Sequence, residues 1–387
     1  MKKVVLVGGG VTNVLLSILL KSHFKNEMDV LILEKNDELL KKLTITGNGK
    51  CNILNKEFHD GLLINNKEIK ESFDSISFNE LYDFYFKLGL PLIEKGNLIY
   101  PFNESSNQTR DFLVSKLNDL GVKVLTGKKV IDYSKNGEIY SILLDDFSKI
   151  SADLASFSTG GKSYKVLGDD DSILDIFKKH TYKVSEFKPA LCAIKVKENV
   201  KRLDGVRSKA EVSIYESNKL VFKESGEVLF KKDGLSGIVI FNASLFISTH
   251  YSSLKNIKIS LNLISDLDDK KVDEIKKYAG SAAILKVLTN KKIAEYVEKL
   301  VENVDKQIYL LKNLDFTPID FYGFDTAQIS VGGIELCNLT KDLESKKEPN
   351  IYFGGELIDI SGYCGGYNLS MCLASALIIY KKIIKEC

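Results

Sequence analysis

The chain has no tryptophan, five prolines and only four histidines in 387 residues. So few histidines exclude a multi-histidine metal centre, and no metal site is expected. Arginine is scarcer still: Arg110, Arg202 and Arg207 are the only ones among 54 basic residues. Rigid guanidinium forks for bidentate phosphate recognition are therefore few. The six cysteines make no C-x-x-C pair, so neither a zinc ribbon nor a redox dithiol is signalled. Net charge is +2, which gives no global argument for a nucleic-acid or membrane partner. No signal peptide precedes the first apolar run, and no run reads as a membrane span. A cytoplasmic protein with no membrane partner is the expectation.

What is present is an ordinary globular composition, 44% hydrophobic and 27% charged, with length for two or three domains. The organising stretch is Val4 to Glu34. Val4-Val5-Leu6-Val7 reads as a buried parallel strand, and Gly8-Gly9-Gly10 follows at once. A helical stretch from Val11 and a second strand, Asp29 to Leu33, lead to Glu34. Strand, glycine turn, helix, strand, acid is the dinucleotide-binding layout. The glycines permit a tight turn and close approach to a pyrophosphate, and the N–H groups that open the helix face the anion. Glu34 can bond both hydroxyls of a ribose, which suits FAD or NAD. One position departs from the fingerprint. Asn13 stands where glycine or alanine normally allows helix and strand to pack closely.

Further on, Ile45-Thr46-Gly47-Asn48-Gly49-Lys50-Cys51-Asn52 is too polar and too glycine-rich for a core element. Such a loop offers many backbone donors to a flat polar ring system. This I-T-G-N-G-K-C-N run resembles the signature of the BaiN/RdsA (YhiN-like) family of NAD(P)/FAD-dependent oxidoreductases, some of whose members carry an aminoacetone oxidase label. The resemblance continues. Ser158-Thr159-Gly160-Gly161 resembles a second glycine signature, A-T-G-G, and Leu343-Glu344-Ser345-Lys346 lies close to M-E-S-K. Gly362-Tyr363-Cys364-Gly365-Gly366-Tyr367-Asn368-Leu369 is close to the family's G-x-x-G-G-Y-N-L string. Three places differ. Leu98 stands near a usual arginine, Lys231-Lys232 replace a Thr-His pair before Gly234-Leu235-Ser236-Gly237, and Ile238 replaces a proline.

The fold expected is α/β: a Rossmann-like FAD domain of the two-dinucleotide-binding type, with an inserted β-barrel and a small helical subdomain. Its boundaries read as 1–188 with 326–387 for the FAD domain, 189–265 for the barrel or sandwich, and 266–325 for the helices. Short strands are expected at 220–223, 227–230 and 237–241, among others. Gly168 and Asp169-Asp170-Asp171 read as the start of a helix running to His180, with capping preferred over a metal role.

The cofactor set expected is Gly8, Gly10, Val11, Asn13, Glu34, Lys35 and Lys42; Gly47 to Asn52; Val130 at a strand edge near adenine; Thr159, Gly160 and Gly161; Gly355 and Glu356; and Gly365, Gly366, Tyr367, Asn368 and Leu369. Asn368 is expected on the pyrimidine edge of the isoalloxazine. The resemblance implies NAD(P)H-driven reduction of a C=C bond, in an enone-like small molecule or in a uridine of ribosomal RNA. Cys51, Tyr363 and Cys364 are the candidate proton donors. Amine oxidation, or a flavin-bound interaction protein without turnover, are the alternatives. NADH or NADPH, and the oligomeric state, stay open.

Overall fold

A computed structural model describes residues 1–164, 172–280 and 283–386. Gly168 and the three aspartates at 169–171 lie outside the described residues. The chain divides into two compact units, Met1–Lys188 with Ile329–Cys387, and Pro189–Gln328.

The first unit is built on β1 (Lys2–Val7), α1 (Val11–Phe24), β2 (Met28–Leu33), β3 (Lys123–Leu125), β4 (Leu154–Phe157), β5 (Ile351–Phe353) and α2 (Tyr367–Glu386). The strands form one sheet in the order β5-β4-β1-β2-β3, and every pairing is parallel. β1, β4 and β5 are apolar or small at nearly every position because helices and a meander cover both faces. Val4 to Val7 pair with Leu154 to Phe157 on one side and with Val30 to Leu33 on the other. The chain thus leaves β1 in two directions. That reversal opens a crevice at the carboxyl ends of the strands, where such sheets take their ligands.

Among the described residues α2 is the one helix long and apolar enough to cross a membrane, contrary to the expectation of no such run. Here it is a core helix, packed against α1. An antiparallel meander, Val130–Asn136, Ile139–Leu144 and Lys149–Ala152, joins the helix Ser172–Lys179 in covering β4 and β5. Tyr133 and Phe177 pack on Phe157, and Phe177 and Tyr182 pack on Phe353. Glu348 accepts hydrogen bonds from the Tyr133 and Tyr182 hydroxyls, each at 2.6 Å. His180 stacks on the Tyr133 ring at 4.0 Å, and its Nε2 lies 2.9 Å from Asp132 Oδ1.

The second unit is a seven-stranded antiparallel sheet. Its edge strands, Leu314–Phe316 and Pro318–Phe321, are joined by Thr317 alone, so the sheet must curl back on itself. The helices at 269–312 share its core: Ile284, Ile293, Val297 and Leu311 pack in one cluster with Val212, Ile259 and Phe230. Two strand assignments are corrected. The stretches at 220–223 and 227–230 are one strand, Lys219–Lys231. The stretch at 237–241 instead opens a helix, Ile238–His250. Its Ile-Val-Ile-Phe run favours a strand locally, but a helix buried on most sides is apolar all round and gives the same reading. Val239 seats it against Gly226 of the long strand.

Candidate cofactor site

The glycine turn after β1 is held by sterics. Gly8 has φ +98°, and a Cβ there would lie 2.5 Å from Ser158 O. Gly10 caps α1 with extended backbone and without a side-chain bond. The first N–H groups of α1 are therefore left for an external acceptor. Glu34, 8% exposed, is fixed at the end of β2. Its Oε2 accepts the Gly9 N–H at 2.7 Å, and its Oε1 accepts the Asn36 N–H and side-chain amide at 2.8 Å each. The Lys128 N–H bonds Glu34 O, which brings the start of the Val130 strand beside this carboxylate. Lys35 is half-buried next to it.

At the ends of β4 and β5 a second cluster forms. Lys42 Nζ donates to Ser163 Oγ at 2.8 Å and to Glu356 Oε2 at 3.0 Å. Glu356 Oε1 accepts from the Ser330 N–H at 2.8 Å and from Ser163 Oγ at 3.2 Å. The Lys162 N–H bonds Ser330 Oγ, which tethers the Thr159-Gly160-Gly161 turn to the same place. Tyr164 follows, half-buried, with φ +55°. Burial pushes its phenol up, while the charge of Lys42 pulls it down and Cys364 pushes it up.

Four buried polar atoms here have no hydrogen-bond partner: Thr12 Oγ1, Ser158 Oγ, Thr159 Oγ1 and Asn52 Oδ1. Such atoms cost about 1–3 kcal/mol each when left unpaired, so a cluster of them marks a place where a polar ligand completes the bonding. Thr12 and Ser158 flank the Gly354-Gly355 turn, and Asn52 faces Gly366 at the start of α2.

Comparison with known proteins decides the family. The HI0933-like protein Rossmann domain matches residues 2–381. The chain belongs to that family. It is accordingly an FAD-dependent oxidoreductase. The chain is 26% identical over 403 residues to a 3-dehydro-bile acid delta(4,6)-reductase of Clostridium scindens, covering 98% of each. It is 24% identical over 372 residues to the ribosomal RNA dihydrouridine synthase of Escherichia coli, covering 90% of each. Among solved structures, the 3-ketosteroid-delta4-(5alpha)-dehydrogenase of Rhodococcus jostii RHA1 superposes with a TM-score of 0.50 at 11% identity. The match covers 98% of this chain and 96% of that one.

FAD fits the residues of this HI0933-like chain. Glu34 can meet ribose hydroxyls, the open end of α1 can meet the diphosphate, and the unpartnered hydroxyls of Thr12 and Ser158 lie beside the Gly354-Gly355 turn. Several residues expected to touch the cofactor do something else. Asn13 is wholly buried and bonds strand carbonyls. Asn368 spends its amide on the backbone of Gly362, accepting its N–H at 2.9 Å and donating to its O at 2.8 Å. It thereby locks the turn ahead of α2, with one N–H of its amide left over for the pyrimidine edge expected of it. Lys50 turns to Glu104 at 3.3 Å, on the surface.

Cys51 is not placed as a proton donor. It is fully buried, and burial pushes its thiol up to about 12, against smaller opposing effects from the Thr46 and Thr109 hydroxyls. Gly47, Asn48 and Gly49 form an exposed left-handed run with φ of 58°, 55° and 82°. Gly365 O accepts the Asn55 amide at 2.7 Å, and the Tyr367 ring packs on Gly61. Leu369, Tyr363 and Cys364 are half-buried. Sequence reasoning missed Thr12, Ser158, Ser163, Ser330 and Tyr164. The usable signal for the first four was a hydroxyl residue two positions from a glycine turn.

Proposed function

We propose that this FAD-dependent oxidoreductase uses NADH or NADPH to reduce a C=C bond conjugated to a carbonyl, in an enone-like small molecule. The observation that carries the reading is the group of unpartnered buried hydroxyls, Thr12, Ser158 and Thr159, around the Gly8 and Gly354-Gly355 turns. Those residues are built to bind and orient, while the buried Cys51, Cys192 and Cys372 thiols are held protonated by burial and offer no nucleophile. FAD supplies the hydride chemistry when bound. The chain's own tasks are to hold it, exclude water and place a proton at the carbon next to the carbonyl. Our candidate to hold that proton is the phenol oxygen of Tyr164, a half-buried residue that directly follows Ser163, whose hydroxyl bonds Lys42 and Glu356. The bile-acid reductase relative, similar over the whole chain, supports the enone class.

A second reading, reduction of a uridine in ribosomal RNA, is favoured by the Escherichia coli relative. Free cysteines at 51, 192, 337, 364 and 372 suit a reducing cytoplasm. Anaerobic titration of the yellow protein with NADH and NADPH, followed by an enone steroid or an unmodified ribosomal RNA, separates the two readings. Reoxidation by the steroid supports the first, and reoxidation by RNA alone overturns it. Bleaching by aminoacetone but by neither pyridine nucleotide would point to an amine oxidase.

A further inference from the structure

Asn13 occupies the position where a dinucleotide-binding turn normally has a residue without a large side chain. It is 0% exposed, yet its amide is fully engaged. Nδ2 donates to Val7 O at 2.9 Å and to Gly8 O at 3.0 Å, with a longer contact to Ser156 O at 3.4 Å. Oδ1 accepts from Ser156 Oγ at 3.0 Å. Ser156 is itself 0% exposed, in the middle of β4, and pairs with Leu6 of β1. The third residue of α1 is thus tied to the end of β1, to the glycine turn and to β4. In the usual arrangement a small residue achieves this by letting helix and strand touch. Here four hydrogen-bond contacts replace that touch, and the next residue back is Thr12, whose hydroxyl has no partner.

We infer that Asn13 and Ser156 form a positioning pair that aims the open N-terminus of α1, and Thr12 with it, at the diphosphate of FAD. The pair joins the middle of β4 directly to the first turn of the helix. Removing Asn13 leaves Ser156 Oγ unpaired in an apolar interior, and removing Ser156 leaves Asn13 Oδ1 unpaired. Either change lets the first turn of the helix reorient to recover the lost bond. The two residues act as one device, so their effects are not additive.

The test measures dissociation constants of FAD and of ADP, which carries the diphosphate without the ring. It uses cofactor-stripped wild-type protein, Asn13→Ala, Ser156→Ala and the double variant, with the visible circular dichroism of bound FAD as a second readout. The expected result is that Asn13→Ala weakens FAD and ADP by the same factor, about tenfold or more, and Ser156→Ala by roughly threefold to tenfold. The double variant should be no weaker than Asn13→Ala, and the dichroism of bound FAD should change sign or intensity. A purely structural role would lower the melting temperature and leave both constants and the dichroism unchanged, and that result overturns the inference. Should Asn13→Ala not fold, Ser156→Ala alone decides, because it keeps the bonds to Val7 and Gly8; unchanged constants in that variant also overturn it. Wild-type protein that binds ADP but not FAD would sink the cofactor reading instead, while leaving the pairing measurable on ADP.

Discussion

Two regions flank the same two strands of the first unit and treat buried polar groups in opposite ways. At the carboxyl ends of β4 and β5, Thr12, Ser158 and Thr159 carry hydroxyls with no partner. Where the meander covers those strands, Tyr133, Tyr182 and Ser345 share hydrogen bonds around Glu348, and Tyr140 bonds Pro349 O at 2.7 Å. Both regions are packed and both contain hydroxyls. A protein that pairs the Tyr133, Tyr140, Tyr182 and Ser345 hydroxyls in one place and leaves three open in another has built a wall in the first and a receptor in the second. Satisfaction, more than polarity, separates the two.

That contrast can be broken by exchange experiments. The largest effect is expected from Tyr164→Phe, which should lower kcat about 10²- to 10⁴-fold while the dissociation constant of FAD stays within twofold. Stopped-flow reoxidation by substrate reads it, and a normal rate would remove Tyr164 from the chemistry. Next comes Glu348→Ala. It strands the Tyr133 and Tyr182 hydroxyls and should cost about 2–4 kcal/mol of stability in chemical denaturation, with FAD affinity unaltered. Loss of FAD at unchanged stability would mean the wall is part of the receptor.

Thr12→Val reverses the pattern. Stability should move by less than about 1 kcal/mol, because the Thr12 hydroxyl gives up only a weak contact with the Cys372 thiol, while FAD binding weakens roughly three- to tenfold.

The smallest effect concerns acid. Burial alone would raise the Asp132 carboxyl, but hydrogen bonds from Lys179 and His180 more than reverse this and hold it below 3.8. A depressed carboxyl stabilises the fold above its ordinary value and loses that contribution as pH falls through the lower one. Melting temperatures of Asp132→Asn should therefore fall less steeply than those of wild type below about pH 4. Parallel curves would show that the ion pairs are surface ornament.

Much of this was legible from residue order. The apolar Val4–Val7 run, the glycine turn and Glu34 announced the first half of the sheet, because a buried parallel strand cannot hide its composition. The glycine string before α2 announced the return of the chain. What was not legible is how a side chain is spent. Asn13 and Asn368 look like ligand contacts in a sequence, since an amide beside a glycine turn is an obvious donor. Only the fold shows that Val7, Gly8 and Ser156 have claimed the first, and Gly362 the second. Ile238–His250 failed for another reason: helix and strand burial ask for the same residues when every face is covered.

The order in which the strands line up has a bearing on biosynthesis. β5 and α2 leave the ribosome after the segment inserted before them, yet β5 pairs with β4 and α2 packs on α1. The contiguous segment Pro189–Gln328 emerges whole before them. Domains generally fold as units during translation, so the interrupting piece can finish before the piece it interrupts. A premature stop near residue 330 would therefore yield a chain with a folded Pro189–Gln328 unit and an amino-terminal part that never acquires colour.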